Sequence, residues 1–152
     1  MPVLEELFLF HADAAPALDV GPTPIGRRQV ANVTGGFVRG PRLNGRVLPS
    51  GADWVLVGAD GVGRLDVRAL VETDAGARIY VQYFGVLELN SAVVGALSGG
   101  DETRFGDAYF MTSPRFETGH PDHAWLNTLV TVGQGRLLPC AVEYRVFAVQ
   151  ND

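Results

Sequence analysis

The chain has 152 residues and a formal net charge of -5 at pH 7, with 47% hydrophobic and only 19% charged residues. This length and composition suit one core, so we expect residues 1–152 to fold as a single domain. The surplus of acidic residues argues against a nucleic-acid-binding surface, which needs clustered positive charge. All 12 basic residues are arginine, and the lack of lysine excludes enzymes that form a Schiff base through a lysine amine.

The cellular compartment is predicted from the cysteine count and from the N-terminal segment. A single cysteine, Cys140, cannot form an internal disulfide, which favours a reducing compartment. The segment Met1–Phe10 carries Glu5 and Glu6 and lacks the basic start of a secretory signal. No apolar run approaches the roughly 18 residues that a membrane-spanning helix needs. We therefore expect a cytoplasmic protein with no membrane partner.

Glycine and proline punctuate short segments rich in Val, Leu, Phe and Tyr, a pattern typical of many strands joined by turns. In chain order the predicted strands are Leu4–His11, Arg28–Val33, Leu43–Leu48, Trp54–Gly58, Gly63–Thr73, Arg78–Leu89, Tyr109–Glu117, Thr128–Gly133 and Cys140–Val149. Turns are predicted at Thr34–Gly36, Pro49–Gly51, Ala59–Gly61, Asp74–Gly76 and Gly133–Gly135. This order predicts successive antiparallel hairpins.

One short helix is predicted at Asn90–Ser98, between the sixth and seventh strands. Asn90 can cap its N-terminus, and Gly99–Gly100 would end it. Its expected buried stripe consists of Ala92, Val93, Ala96 and Leu97.

Alternation along two strands bears on which side chains lie in the core. The last strand has a clear apolar face, predicted to be buried, that holds Cys140, Val142, Tyr144, Val146 and Ala148. Burial there would leave the Cys140 thiol unreactive. The strand Gly63–Thr73 alternates too, with Leu65, Val67, Ala69 and Val71 on one face and Asp66, Arg68, Leu70 and Glu72 on the other. Its pattern leaves open which face points inward.

A meander of this many strands must protect its edges, and closing into a ring does so completely. We therefore predict an all-β fold, a closed antiparallel up-and-down β-barrel of about eight strands with one short helix. A barrel of this size has room for packed side chains or for one small ligand.

Several separated motifs, in order along the chain, resemble the family known as domain of unknown function 3237. They are Gly40–Trp54, Leu65–Arg68, Asp74–Tyr80, Tyr109–Phe110, Pro114–Gly119, Trp125–Asn127 and Val132–Gly133. The resemblance implies an antiparallel barrel of about eight strands that usually self-associates, so we expect a homo-oligomer. It implies no established general activity.

Glu117 ends a predicted strand, beside Phe116 and just before the loop with His120, Asp122 and His123. Aromatic neighbours can desolvate a carboxylate and suit it to general acid or base catalysis. The alternative is that Glu117 accepts hydrogen bonds from loop amides and fixes the turn. Both interpretations stay open at this point.

Three further charged residues are predicted to act at the same site. Asp66 and Arg68 share one face of a strand and can project into a common lumen with Asp53. There Arg68 would clamp a carboxylate or enolate while Asp53 or Asp66 exchanges a proton. The alternative is a set of structural or solvent-exposed ion pairs. The predicted catalytic residues are therefore Glu117, Asp53 and Arg68.

Aromatic residues can line a pocket for a flat or apolar molecule, or fill the core instead. The aromatic residues predicted to bind the ligand are Trp54, Tyr80, Tyr83, Trp125 and Tyr144. We also predict that Arg42, Asp66, His123 and Asn127, in or beside the family motifs, bind the ligand.

No metal or cofactor site is predicted. His120 and His123 lie three residues apart in a loop with Asp122, but this spacing is a weak signal, because a metal site would need a further ligand from elsewhere and cysteine partners are lacking. A nucleophile elbow, a dinucleotide-binding glycine motif and a phosphate loop are all missing, which excludes elbow-type serine hydrolases and nucleotide enzymes.

Three functions fit these observations. The first is a cofactor-free acid/base enzyme, such as an isomerase, cyclase or lyase, that acts on a small aromatic or carbonyl-conjugated metabolite. The second is a non-catalytic, lipocalin-like carrier of a small apolar ligand. The third is a structural module whose exposed apolar face binds further copies of the chain.

Overall fold

The computed structural model describes residues 1–152, and its nine strands form one antiparallel sheet. They are β1 (Val3–Ala14), β2 (Leu18–Thr23), β3 (Gly26–Arg39), β4 (Asn44–Val57), β5 (Val62–Thr73), β6 (Arg78–Glu88), β7 (Phe110–Glu117), β8 (Thr131–Leu138) and β9 (Ala141–Gln150). Their order is β1-β9-β8-β7-β6-β5-β4-β3-β2, and β1 also pairs with β3. Eight strands thus close a ring, while β2 extends beside β3 outside it. The predicted closed barrel of about eight strands is confirmed.

Strand β1 closes the barrel by pairing on both of its sides. Phe10 lies opposite Val38 of β3 and opposite Tyr144 of β9. All three side chains are buried in the core that fills the ring. Because every strand of the ring has two neighbours, no strand of the ring is left as a free sheet edge.

The strands are longer than predicted, because three glycine-containing segments expected to form turns lie inside strands. Pro49–Gly51 is part of β4, where the register against β5 shifts, so two predicted strands form one. Thr34–Gly36 lies within β3 at a similar irregularity. Gly36 has a φ of 136°, and a Cβ there would collide with the carbonyl oxygen of His11. Glycine in these strands therefore permits bends and close backbone approach, not reversal of the chain.

The third predicted turn that lies inside a strand is Gly133–Gly135, which belongs to β8. A further difference concerns β2. Strand β2 was not predicted at all, and it pairs with the first half of β3, where Leu18 lies opposite Val30. Its sequence alternates weakly and contains Pro22, which explains why the pattern gave no strand signal there.

Two short helices accompany the barrel. Helix α1 spans Ser91–Leu97, and the Asn90 side chain accepts a hydrogen bond from the Val93 amide at 3.0 Å, as predicted for its cap. Of the predicted stripe, Val93 is buried and Ala96 is partly buried against the core, whereas Leu97 is 64% exposed. The second is a 3-10 helix at Pro121–Thr128 that buries Leu126 and that sequence reasoning missed. Neither helix is long and apolar enough to cross a bilayer.

The structure decides which way β5 and Cys140 face. The apolar face of β5, which includes Val67, is buried, and the face with Asp66 and Arg68 points outward. The prediction that Cys140 lies in the core is wrong. Cys140 is exposed and has a φ of 55° in the turn between β8 and β9, because β9 begins one residue later at Ala141.

A buried ionic cluster on the outer wall joins β1, β8 and β9. The Glu143 carboxylate accepts hydrogen bonds from His11 Nδ1 at 2.7 Å and from Arg136 at 2.7 and 3.0 Å. His11 Nε2 lies 2.9 Å from Asp13, and its ring stacks on Phe37 at 4.6 Å. Burial alone would raise the pKa of Glu143, but the bonds from His11 and Arg136 outweigh it and lower that pKa. Ionised Glu143 therefore stabilises the seam that closes the ring.

We expect Glu143→Gln to lower the free energy of unfolding by about 1–3 kcal/mol at pH 7, because the neutral amide weakens the hydrogen bonds to His11 and Arg136, which then keep only their contacts with Asp13 and Glu102. Since the folded-state pKa lies below the usual 4.5, this loss should be complete above pH 4.5 and should shrink as the pH falls through the folded-state value. Urea denaturation at pH 7 and pH 3.5 measures both.

The matched control is Glu102→Gln, which removes an exposed partner 3.4 Å from the same Arg136. An exposed pair contributes at most about 1 kcal/mol. Equal losses for the two variants would contradict a special role for Glu143.

Candidate functional site

Asp53 faces the interior of the barrel. In the register of the sheet it lies opposite Ala31 of β3 and Val67 of β5, and directly opposed residues project from the same face of a sheet. Val67 is buried in the core, and it lies opposite Tyr83 of β6. Asp53, Val67 and Tyr83 thus form one inward-facing row across three strands.

A local gap in the sheet holds the Asp53 side chain. Pairing between β4 and β5 is interrupted at Trp54 and Val55, which pair only with β3. At the gap, Asp53 Oδ1 accepts a hydrogen bond from the Asp66 amide at 3.2 Å. The carboxyl therefore satisfies a backbone donor that the ladder leaves free, and this bond orients it.

The environment of Asp53 favours the protonated carboxyl. Burial raises the pKa of Asp53 to about 6, the nearby charge of Asp66 adds to this rise, and the hydrogen bond from the Asp66 amide opposes it. None of the buried residues is basic, and no ion pair in the chain includes Asp53. A carboxyl that titrates near neutrality can both accept and donate a proton.

Two buried tyrosines lie near this carboxyl. The Tyr83 hydroxyl donates to the Tyr144 hydroxyl at 3.1 Å, and their rings meet edge to face with centroids 5.1 Å apart. Burial raises the pKa of both phenols, and the charge of Asp53 adds to the rise at each. Both therefore stay protonated. The Tyr83 hydroxyl proton is used in the hydrogen bond to Tyr144, and the Tyr144 hydroxyl proton is free to bond an oxygen atom of a ligand.

Aromatic packing holds Tyr144 in place on its other sides. Its ring packs edge-on against Phe110 at 5.4 Å and lies 6.4 Å from Phe10. Gly135 lies opposite Tyr144 in the sheet, and a Cβ there would meet the Phe110 ring at 2.8 Å. The tyrosines are fully buried, whereas Asp53 is partly exposed. Of these three residues, only Asp53 has appreciable surface exposed to solvent.

Thr112 is an interior residue that sequence reasoning missed. Its hydroxyl is buried without a hydrogen-bond partner, and it lies opposite Gly133 of β8. A Cβ on Gly133 would collide with Thr112 Oγ1. The signal in the sequence that could have indicated it was Gly133 of β8, because a glycine that faces inward leaves space for the side chain opposite.

The predicted convergence of the charged residues is not observed. Arg68 and Glu117 project from the outer wall, on the opposite side of the sheet from Asp53. Asp66 also lies on the outward face, where one of its carboxylate oxygens is buried without a partner. Trp54 is exposed on the outside as well. The reason is strand alternation, because residues one apart on a strand face opposite sides.

The exposed ends of β6 and β7 form a shallow outer groove of about 410 Å³. It is lined by Tyr80, Gln82, Arg115, Phe116, Glu117, Thr118 and Asn127. Asn127 makes two hydrogen bonds with the Thr118 backbone, at 2.8 and 2.9 Å. Asn127 thus fixes the loop after β7, the role considered above for Glu117. Gln82 and Arg115 were missed, although alternation from Glu117 places Arg115 on the same face.

The remaining predicted ligand-binding residues lie near the 3-10 helix. The Arg42 guanidinium stacks over the Trp125 ring at 3.7 Å from its centroid. His123 Nδ1 is buried without a partner, and its ring lies 5.7 Å from that of His120. No group of three or more His, Cys, Asp or Glu side chains is arranged to hold a metal ion.

Residues 2–149 match the model of a family described as a protein of unknown function, DUF3237. This chain belongs to the DUF3237 family. A UPF0311 protein of Rhodopseudomonas palustris is 34% identical over 134 residues, which are 87% of this chain and 88% of that protein. The crystal structure of a conserved protein of unknown function from the same species has a TM-score of 0.89 at 30% identity and covers 99% of each chain.

Two fungal proteins are also similar to this chain. The PR-toxin biosynthesis cluster protein 7 of Penicillium roqueforti is 28% identical over 100 residues, which are 63% of this chain and 54% of that protein. The crystal structure of an enzyme from Penicillium herquei has a TM-score of 0.72 at 24% identity, and the match covers 98% of this chain and 95% of that one. The second likeness shows a shared fold.

We expect Tyr83→Phe and Tyr144→Phe each to lower the free energy of unfolding by about 1–2 kcal/mol, because each leaves the other hydroxyl buried without its partner. The double variant should lose less than the sum of the two. Chemical denaturation of all four proteins gives this double-mutant cycle. Additive losses would contradict a coupled pair.

Proposed function

We propose that this protein is a cofactor-free acid/base enzyme in which Asp53 transfers the proton. The observation that carries this proposal is an interior carboxyl with a pKa of about 6, beside a buried tyrosine pair and without any cationic partner. Such a carboxyl destabilises the fold when ionised, and strain of this kind is concentrated at functional sites.

In the proposed reaction, ionised Asp53 removes a proton from the carbon next to a carbonyl group of the substrate. The free hydroxyl proton of the tyrosine pair donates to the carbonyl oxygen, on which negative charge develops. Protonated Asp53 then returns the proton to another atom of the same molecule. Isomerisation, cyclisation and elimination all fit this sequence, which consumes no oxidant or co-reactant.

The substrate class follows from the charges at the site. No basic residue is buried near Asp53, and its carboxylate repels an anion. Arg68 faces outward, so it cannot neutralise a carboxylate in the interior. Tyr and Phe rings surround the hydroxyl pair. We therefore propose a small, uncharged, partly aromatic substrate with a carbonyl or conjugated carbonyl group.

The fungal likenesses support catalysis only by analogy of fold. A barrel of this architecture occurs in a Penicillium herquei protein described as an enzyme. Function depends on the site and not on the architecture, so the proposal rests on Asp53 and the tyrosines.

The variant Asp53→Asn separates a catalytic role from a structural one. Its amide oxygen can still accept the Asp66 amide proton, but it cannot ionise. Because ionised Asp53 destabilises the fold, wild-type stability should fall as the pH rises from 3.8 to about 6. We expect the variant to exceed wild type by about 1–3 kcal/mol at pH 8 and to approach it at pH 4. Urea denaturation at both pH values measures this.

Proton transfer can be followed by ¹H NMR as deuterium uptake next to the carbonyl of benzylacetone and related neutral aryl ketones in D₂O. We expect wild type to exceed the buffer rate and Asp53→Asn to lose this excess. Glu88→Gln, an exposed carboxylate-to-amide change on β6, is the matched control and should keep it. If Glu117→Gln abolishes exchange and Asp53→Asn does not, the acid/base group lies in the outer groove and the proposal is wrong.

A carrier of an apolar ligand is the second function, favoured by the largely apolar and aromatic interior. Thermal-shift measurements with benzylideneacetone, and with benzoate as the anionic counterpart, test it beside the exchange assay. Stabilisation by the neutral compound without any exchange or product would support the carrier and contradict the enzyme.

A further inference from the structure

The outward residues of β6 leave an apolar strip on the barrel wall. Tyr80, Phe84 and Val86 are 36%, 56% and 42% exposed, and they alternate with buried residues of the same strand. Trp54, outward on β4, adds another ring that is 39% exposed. Gln82 separates Tyr80 from Phe84 and Val86, which are successive outward residues of β6. Exposed apolar side chains that lie together in this way mark an interaction site.

Charged residues of both signs flank this strip. In the sheet register, Asp66 lies opposite Phe84, and Leu70 and Glu117 lie on either side of Tyr80. Arg68 and Arg115 lie on either side of Gln82 in the same way. We call these outward residues of β5, β6 and β7 the outer β6 face. It carries two arginines and two carboxylates, so it is locally neutral although the chain has a charge of -5.

None of these four charges is paired within the chain. The ion pairs of the structure use Arg27, Arg46, Arg64, Arg78, Arg136 and Arg145, and they include neither arginine of the outer β6 face nor its two acids. One carboxylate oxygen of Asp66 is buried and accepts no hydrogen bond. This oxygen is covered by the chain itself, whereas Arg68, Arg115 and Glu117 are exposed and free to pair with groups of another molecule.

We propose that the outer β6 face binds a second copy of this chain, with Phe84 and Val86 at the centre and the four charges around them. A two-fold axis brings the same surface of both copies together, so a face with equal numbers of both charges is complementary to itself. Anionic lipid or nucleic acid would require a surplus of arginine, which this face lacks. The interface would also cover the outer groove beside Tyr80.

This inference is independent of the proposed reaction, because Asp53 and the tyrosine pair lie inside the barrel. Sheets that pack face to face bury alternate residues of each strand, as Tyr80, Phe84 and Val86 would be.

Sedimentation velocity over a range of micromolar concentrations tests the proposal. We expect wild type to sediment as a dimer and Phe84→Glu as a monomer with unchanged circular dichroism. Leu97→Glu, which adds the same charge at an exposed apolar position of α1, is the matched control and should remain dimeric. A monomeric wild type, or a Phe84→Glu variant that remains dimeric, would overturn the proposal.

Charge reversal tests the self-complementary arrangement separately. We expect Arg115→Glu and Glu117→Arg each to raise the dimer dissociation constant by about tenfold or more, because like charges then meet across the axis. An equimolar mixture of the two variants should regain association, since the reversed charges then attract each other across the interface. Recovery on mixing cannot arise from a folding defect, and its absence would overturn the pairing of this face with itself.

Discussion

Strand β1 pairs with β9 on one side and with β3 on the other, and this closes the sheet. The closure separates the interior residues around Asp53 from the outer β6 face. Once eight strands form a ring, successive side chains along each strand point alternately into the interior and to the exterior. Glu143, bonded to His11 and Arg136 across β9, β1 and β8, stabilises the strands that meet at this seam. Adjacent residues then lie in different environments, as Tyr83 in the interior and Phe84 on the exterior illustrate.

The interior combines stabilising packing with one group that opposes it. Phe10, Phe110 and Tyr144 pack together in the centre of the ring, with Phe110 edge-on to Tyr144 and Phe10 tilted against it. Such aromatic contacts contribute beyond their buried area. Asp53 shares this interior without a cation to compensate its charge, and burial raises its pKa to about 6. An ordinary exposed aspartate is fully ionised at neutral pH and is a poor proton donor. A proton-transfer group needs a pKa closer to neutrality, and burial without a cation raises the pKa in that direction.

The outer wall has one cluster of charged residues that are paired with one another and one group of charged residues that are not. Around Glu143 the arginine and histidine partners are supplied by the chain itself, so the ionic cluster is complete. On the outer β6 face, Arg68, Arg115 and Glu117 remain without partners beside exposed rings. A complete cluster stabilises the fold, whereas an incomplete one beside an apolar strip is free to recognise another surface.

By itself the sequence determined the all-β barrel, most strand positions and the Asn90-capped helix, because alternation, turn residues and caps are local signals. Asp53, Tyr83 and Tyr144 were each predicted from it as site residues, and these assignments remain predictions. Only the tertiary structure decided that Asp53 faces the tyrosine pair while Arg68 and Glu117 face outward, and that Cys140 lies in an exposed turn. The physical reason is that register shifts and ring closure decide which face of a strand is interior, and both depend on contacts between residues far apart in the chain.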